Sequence, residues 1–523
     1  MQRRAQEIQT RVQPDVPSTI TAQLRPYQLE GFHFLAYLSA NGFGGVLADD
    51  MGLGKTLQAL TWIAWLRDKA NAPEGGIDAS AGRRDPGAGA ILVVCPKSVQ
   101  DNWRSEATRF CPGLRVTVWT RDAAGESGLD ADTDLLIIHY QQLRQHEEKL
   151  TQRRWLAVIL DEAQAIKNPT SQNARAACAL QARHRLALSG TPVVNRLLDL
   201  WSILAFAMPG VLGNRTHFAK HLDAKEDPLA RRRLAARVRP FLLRRTKKEV
   251  AHDLPDRVEE DLVCELEGPQ RALYQAELKR SRAALLKVQT SKELDKARFN
   301  ILTSLLRLRQ ICCHPQLVLK DAQPRDKGSA GKTKRPAMPA SADAAGSTAA
   351  TGSAKLDALI ELLEPIMEQG GKVLVFSQFV EMLSLVQEQI ESREWTHFIL
   401  TGQTDDRGAL VDRFQTREGA AVFLISLKAG GFGLNLTAAS YVVLCDPWWN
   451  PAVEAQAIDR THRIGQKQKQ KVNAYRLIVK DSIEEKIRLL QKQKSALAHD
   501  ILGEENFASA LSLDDFKFLL GDG

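Results

Sequence analysis

Three features of the 523-residue sequence predict an α/β fold of two lobes, each built on a parallel sheet. Short apolar, β-rich runs alternate with helix-patterned stretches, as in strands joined by crossover helices. These runs form two groups, one before about residue 195 and one after about residue 355. The length also exceeds one ordinary domain: it fits about three, or two large ones carrying insertions.

In the first group the expected strands are GVLA (45–48), ILVV (91–94), LLII (135–138), AVIL (157–160) and LAL (186–188). In the second they are VLVF (373–376), VFLI (422–425) and YVVL (441–444), each followed by turn or polar residues. Between the groups, QRALYQAELKRSRAALLKVQ (270–289) and LTSLLRLRQICC (302–313) read as long charged helices of an insertion. Residues 321–354 contain no Ile, Leu, Val, Phe, Trp or Tyr, cannot build a core, and are expected to be disordered. A second flexible loop is expected at 71–90.

A formal charge of +9 points to an anionic partner, with nucleic acid first among them. The seven cysteines form no C-x-x-C pair and read as reduced thiols of an intracellular protein; Cys312-Cys313-His314 reads as a buried helix end rather than a zinc site. No stretch approaches the roughly 20 apolar residues of a membrane span, and no apolar segment follows the basic N-terminus. The expectation is a soluble, unexported chain without a membrane partner.

The chemistry concentrates first in DDMGLGKT (49–56), between an apolar run and a helical one. Backbone N–H groups of a glycine-rich turn at a helix N-terminus cradle phosphate. Gly52 and Gly54 keep the path around Leu53 open, Lys55 reaches the β and γ phosphates of ATP, and the Thr56 hydroxyl ligates Mg²⁺. Asp49 stands where the common spelling of such loops has glycine, so alone the stretch also reads as a plain strand–helix turn.

A second piece lies in AVILDEAQ (157–164), an apolar strand ending in two carboxylates. Ligands sit at the carboxyl ends of strands in open parallel sheets. Asp161 is placed to hold Mg²⁺ through water, and Glu162 to orient or deprotonate the attacking water.

DDMGLGKT, DEAQ, LSGTPVVN (188–195), VFSQF (375–379), SLKAGGFGLNLT (426–437) and DPWWNPAVEAQAIDRTHRIGQ (446–466) follow the order of the superfamily-two helicase motifs. Their wording resembles the SWI/SNF-type ATPases, with the DEAQ spelling and the Ala- and Arg-rich composition of a bacterial member. In that superfamily the phosphate loop does without its first glycine. Two departures are Asp50, where the family usually has glutamate, and Gln164, where histidine is commoner; neither removes a phosphate or metal ligand.

The resemblance implies two tandem RecA-like lobes and extends to further residues. In LRPYQ (24–28), Gln28 is the adenine-reading residue, and Asp49 through Thr56 form the phosphate loop. Ser189 and Thr191 correspond to residues that couple hydrolysis to lobe movement. Gln456, Arg460 and Arg463, at spacings of four and three, are expected on one helix face, with the arginines stabilising charge on the γ-phosphate. DNA contacts are expected from Lys97, Ser98 and Asn102 in PKSVQDNW, and from Ser426, Lys428, Gly430 and Asn435 in SLKAGGFGLN, reading phosphates rather than bases. Of Trp448 and Trp449, at least one is expected to pack within its lobe. FLLRRTKKEV (241–250) and residues 472–494 resemble the connector and the C-terminal brace; without the family they read as a basic linker and an amphipathic helix.

The expected domains are an extension (1–20), an ATP-binding lobe (21–245, helical protrusion about 195–240), a second lobe (246–505, protrusion about 265–320) and a tail (506–523). The function implied is ATP-driven translocation on double-stranded DNA, with ATP and Mg²⁺ between the lobes, displacing a polymerase, nucleoid or chromatin protein without separating strands. The compartment implied is the cytoplasm and nucleoid for a bacterial source and the nucleus for a eukaryotic one. Strand-separating helicase activity and a scaffold with weak ATPase are the rival readings.

Overall fold

A computed structural model describes residues 11–71, 89–119, 133–190, 197–218, 228–250, 257–286, 291–319, 352–404, 406–427, 436–449, 451–461, 472–493 and 512–521. The chain divides into two compact units, one built on Met1–Pro255 and the other beginning at Asp256. Among the described residues each unit holds one sheet.

The first sheet contains β1 (Gly45–Leu47), β2 (Ile91–Cys95), β3 (Val116–Val118), β4 (Leu135–His139), β5 (Arg154–Leu160), β6 (Gln181–Leu188) and β7 (Leu242–Leu243). Its order is β3-β4-β2-β5-β6-β1-β7, with every pairing parallel. Helices cover both faces, which is why the central strands are continuous apolar runs. Along β2, Leu92 and Val94 enter one core with Val46, Val158 and Leu204, while Ile91 and Val93 enter the other with Phe32, Ile63 and Trp103.

The second sheet contains β8 (Arg257–Cys264), β9 (Lys372–Ser377), β10 (His397–Leu400), β11 (Ala421–Ser426), β12 (Tyr441–Leu444) and β13 (Val472–Val479). The order β10-β11-β9-β12-β13-β8 is again all parallel. The expected apolar runs all lie on strands. β3, β7, β8, β10 and β13 come in addition. Residues 472–494 are corrected from a single helix: VNAYRLIV is the strand β13, whose Ala474, Leu477 and Val479 are buried, and the helix is Ile483–Gln493.

In the first unit the helices Leu197–Ala207, Arg215–Phe218 and Pro228–Val238 occupy the stretch expected to protrude, and Ile203, Leu204 and Phe206 belong to the sheet's core. In the second unit, helices Gly268–Leu285 and Ser291–Cys313 place Leu305, Leu308 and Ile311 in one core with Val375 and Leu477. Cys312 and Cys313 are buried at the end of that second helix, and the Ser353 hydroxyl donates to the Cys313 carbonyl at 2.5 Å. Ser353 also caps helix Ala354–Glu368, so the expected disordered stretch is corrected at its C-terminal end; residues 320–351, like 72–88, lie outside the described residues. All seven cysteines are free thiols, six of them buried. Among the described residues no helix is long and apolar enough to cross a membrane.

One buried ion pair ties the second unit together. Lys355 and Glu484 have fully buried side chains with Nζ 2.7 Å from Oε1, and Nζ also donates to the Cys445 carbonyl at 2.6 Å. The second carboxylate oxygen of Glu484 accepts from the Val479 N–H at 3.0 Å.

In the first unit, His184 on β6 sits edge-on to Trp62, and its Nδ1 has no hydrogen-bond partner among the described residues. Burial first, then the charge of Arg183, hold its pKa down at about 4. The unfolded chain takes up this proton near pH 6.5 while the folded chain waits until about pH 4, so acidification through that window favours unfolding by up to roughly 3 kcal/mol. His184→Phe should flatten the acid-side loss of melting temperature between about pH 6.5 and pH 4.5. An unchanged pH slope would remove His184 as its source.

Candidate nucleotide site

Strand order decides which loops meet. β5, β6 and β1 are neighbours, Leu160 is level with Ala187, and Leu188 with Leu47. Because all three strands run the same way, the phosphate loop after β1, Asp161-Glu162 after β5 and Ser189 after β6 emerge at one edge. That edge is the carboxyl end, where open parallel sheets bind ligands.

The loop turns through Gly52 (φ 82°) and Gly54 (φ 76°) into helix Lys55–Asn71. The positive φ at Gly54 disfavours any side chain, and a Cβ there would also displace Gln28 Nε2, 2.4 Å away. Gln28, buried on helix Pro26–Ala40, donates to the Leu53 carbonyl at 3.2 Å, and the Tyr27 hydroxyl donates to the same oxygen at 3.2 Å. Lys55 Nζ donates to the carbonyls of Asp49 (2.7 Å) and Asp50 (3.1 Å), and Thr56 is half-buried in the first turn of the helix. The Asp49 carboxylate is held by Arg245, leaving its backbone as its contribution to the loop.

Asp161 is fixed from three sides. The Trp103 indole donates to Oδ2 at 2.8 Å, the Glu162 N–H to Oδ1 at 2.9 Å, and the Tyr140 hydroxyl to the Asp161 carbonyl at 2.8 Å. Burial first, then the charge of Glu162, push its pKa up to about 6, against the pull of Trp103 and Lys55. A cation beside it would relieve that cost, and each carboxylate oxygen keeps a lone pair, so Asp161 with the Thr56 hydroxyl suits a hard cation such as Mg²⁺. Glu162 adopts a left-handed backbone, φ 49°, uncommon for glutamate. Its Oε2 accepts from Gln164 Nε2 at 2.7 Å, and Gln164 Oε1 accepts from the Ser189 hydroxyl at 3.2 Å. The glutamine of DEAQ thus uses both ends of its amide.

At the same sheet edge Lys97 is exposed and Ser98 half-buried, in the turn after β2. His139, level with Cys95, has its pKa lowered by burial and then by the Lys97 charge. Asn102 is half-buried, its amide donating to Glu106 at 3.0 Å.

In the second unit, Ser426 ends β11 level with Ser377 and is buried. Gln456 lies half-buried on helix Pro451–Ile458. The expectation that Arg460 shares that helix face is corrected: the helix ends at Ile458 because the Arg460 N–H bonds back to Ala457 at 3.2 Å and the Thr461 hydroxyl to Ile458 at 2.8 Å. Arg460 is buried in the turn that follows. Thr191, Lys428, Gly430, Asn435 and Arg463 lie outside the described residues. Trp448 and Trp449 are both buried in their unit, Trp449 beneath the Arg309 guanidinium.

Sequence reasoning missed Trp103, Tyr140 and Arg245. Trp103 ends the quoted PKSVQDNW, where attention to phosphate-seeking groups passes over an indole. Arg245 lies in a stretch whose plain reading is a basic linker.

A glycine loop, a lysine and two carboxylates at the carboxyl edge of a parallel sheet define a nucleoside-triphosphate-handling α/β protein. The sequence matches the family model described as the SNF2-related domain over residues 27–317, and that of the helicase conserved C-terminal domain over residues 354–465. The chain belongs to the SNF2-related family and carries its helicase-type C-terminal domain.

An uncharacterized ATP-dependent helicase of Mycoplasma pneumoniae is 34% identical over 94% of this chain and 43% of its own length. The putative ATP-dependent helicase/translocase YwqA of Bacillus subtilis is 36% identical over 96% of this chain and 51% of its own. The chain thus spans about half the length of the curated relatives it matches. A solved SWI2/SNF2 ATPase core of Sulfolobus solfataricus in complex with dsDNA is 32% identical, over 97% of this chain and 99% of that one, with a TM-score of 0.44.

Proposed function

We propose that this chain is an ATP-dependent translocase on double-stranded DNA that remodels or displaces DNA-bound protein without separating the strands. The observation that carries the reading is the joining of Lys55, Asp161 and Glu162 at one sheet edge, close enough for the Lys55 charge to act on Asp161. The wording of SLKAGGFGLN and DPWWNPAVEAQAIDRTHRIGQ, the net charge of +9 and the exposed Lys97 support a duplex DNA partner. The bacterial relatives favour a cytoplasmic, nucleoid-associated setting.

The loop amides and Lys55 bind the phosphates of ATP, and Gln28 reads adenine. Thr56 and Asp161 would hold Mg²⁺, which neutralises phosphate charge during transfer. Glu162 orients the attacking water and takes its proton, while the Gln164 amide passes the state of Glu162 to Ser189. Arg460 and Arg463 stabilise the charge that develops on the γ-phosphate. On this reading residues 21–245 form the ATP-binding lobe and residues 246–505 its partner, although the first compact unit runs on to Pro255.

ATP turnover measured with no nucleic acid, single-stranded DNA, duplex DNA and duplex RNA tests the reading. Duplex DNA should stimulate most, with no displacement of a strand from a forked duplex. Duplex affinity should fall with salt at a log–log slope of about −0.9 per phosphate neutralised and vary little with base sequence. Stimulation by RNA alone, or ATP-driven strand displacement, would replace the translocase with a helicase.

A further inference from the structure

Asp49 replaces the first glycine of the common phosphate loop, and its carboxylate has an occupation of its own. Arg245 grips it with two parallel bonds, Nε to Oδ1 at 3.0 Å and Nη2 to Oδ2 at 2.6 Å. Both side chains are buried. The backbone of the same segment is joined to the loop's entry: the Ala48 N–H donates to the Leu243 carbonyl at 2.7 Å and the Asp50 N–H to the Arg245 carbonyl at 3.0 Å.

The guanidinium also reaches past the loop. Nη2 donates to Gln58 Oε1 at 3.0 Å, on the helix that leaves the loop. Nη1 donates to the Tyr27 carbonyl, and the guanidinium lies 5.4 Å from the centre of the Tyr27 ring. Tyr27 in turn holds the Leu53 carbonyl in the middle of the loop. One planar group therefore touches the start of the loop, the helix after it and the residue that pins its centre. Room for this is made at Gly31, where a Cβ would lie 1.8 Å from Gln58 Oε1 and 2.9 Å from Arg245 Nη2.

We propose that Arg245 is a positioning residue that holds the phosphate loop in its nucleotide-binding conformation through Asp49. The proposal rests on the reading of residues 49–56 as an ATP site. Arg245 belongs to the chain segment following the first sheet's last strand, so the state of that segment is tied to the state of the loop. Lysine cannot substitute, because a point charge does not reproduce the bidentate fork or the additional bonds to Gln58 and Tyr27. Without the fork the loop visits other conformations, and apparent ATP affinity falls by the fraction of time it is competent. Bound phosphate restores the loop, so turnover at saturation changes far less than affinity.

The test uses the full chain with Arg245→Lys, Arg245→Met and the double variant Asp49→Ala/Arg245→Met. Amide hydrogen exchange of residues 49–56 is followed without nucleotide, together with affinity for a fluorescent ATP analogue, steady-state turnover and the melting temperature. Arg245→Lys should speed exchange in the loop and weaken ATP binding at least about tenfold, with turnover at saturation within about threefold of wild type. The double variant should bind ATP better than Arg245→Met alone, because no buried carboxylate is left without its partner. Unchanged loop exchange, or a lowered melting temperature with ATP affinity intact, would reduce Arg245 to a structural residue. A wild-type chain that binds no ATP would overturn the ATP reading instead, and loop exchange would still decide the role of Arg245. If Arg245→Met does not fold, Arg245→Lys carries the comparison.

Discussion

Lys55→Ala should lose DNA-stimulated ATP turnover by on the order of a thousandfold or more and bind ATP weakly, whereas Glu162→Gln should lose turnover comparably and keep its affinity. The two differ because of what each atom is doing. Lys55 Nζ rests on the Asp49 and Asp50 carbonyls, an ammonium that a phosphate can take over at little conformational cost. Removing it deletes a charge from the cradle in both ground and transition states. Glu162 is already held by Gln164 at 2.7 Å, and a glutamine can keep a hydrogen bond there while losing the ability to accept a proton. Phosphate release and nucleotide affinity measured side by side check both. Near-normal turnover in either variant would remove the assignment.

The largest stability effect is expected in the second unit. Lys355→Met should destabilise the second unit by about 3–5 kcal/mol, the usual cost of removing one partner from a buried ion pair. Among the described residues, Glu484, its side chain fully buried, would retain only the Val479 N–H as a hydrogen-bond donor to its carboxylate, and the Cys445 carbonyl would lose the Lys355 donor. Replacing both members, as Lys355→Met/Glu484→Leu, should recover much of that loss because no orphaned charge remains. Denaturant unfolding of the three chains gives the comparison. A double variant as unstable as Lys355→Met would mean that the lost backbone bonds dominate rather than the orphaned charge.

The strands most legible in the sequence are those sandwiched between helices: β2, β4, β9 and β11 each hold an uninterrupted apolar run of at least four residues because both faces are covered. β8 hid behind its charges. As an edge strand it places Glu259 and Asp261 where Arg476 of β13 can pair with them, so four of the first five residues of RVEEDLVC are charged and its only apolar run is LVC at the end. The two-residue β7 is too short for any pattern to show, and its place beside β1 is fixed by pairing across the sheet.

The sequence by itself determined the chemistry available: a glycine turn that only certain backbones can follow, a lysine and hydroxyl at the start of a helix, and two carboxylates at the end of a strand. Those are local properties, set by residue type and spacing over a few positions. Only the tertiary structure decided what each group touches. Strand order brought the ends of β1, β5 and β6 together, Trp103 and Tyr140 fixed Asp161 from helices distant in sequence, and Arg245 reached Asp49 across nearly two hundred residues. The physical reason is that a buried charge or indole is satisfied by whatever partner packing supplies, and a linear pattern does not encode the identity of a partner so far along the chain.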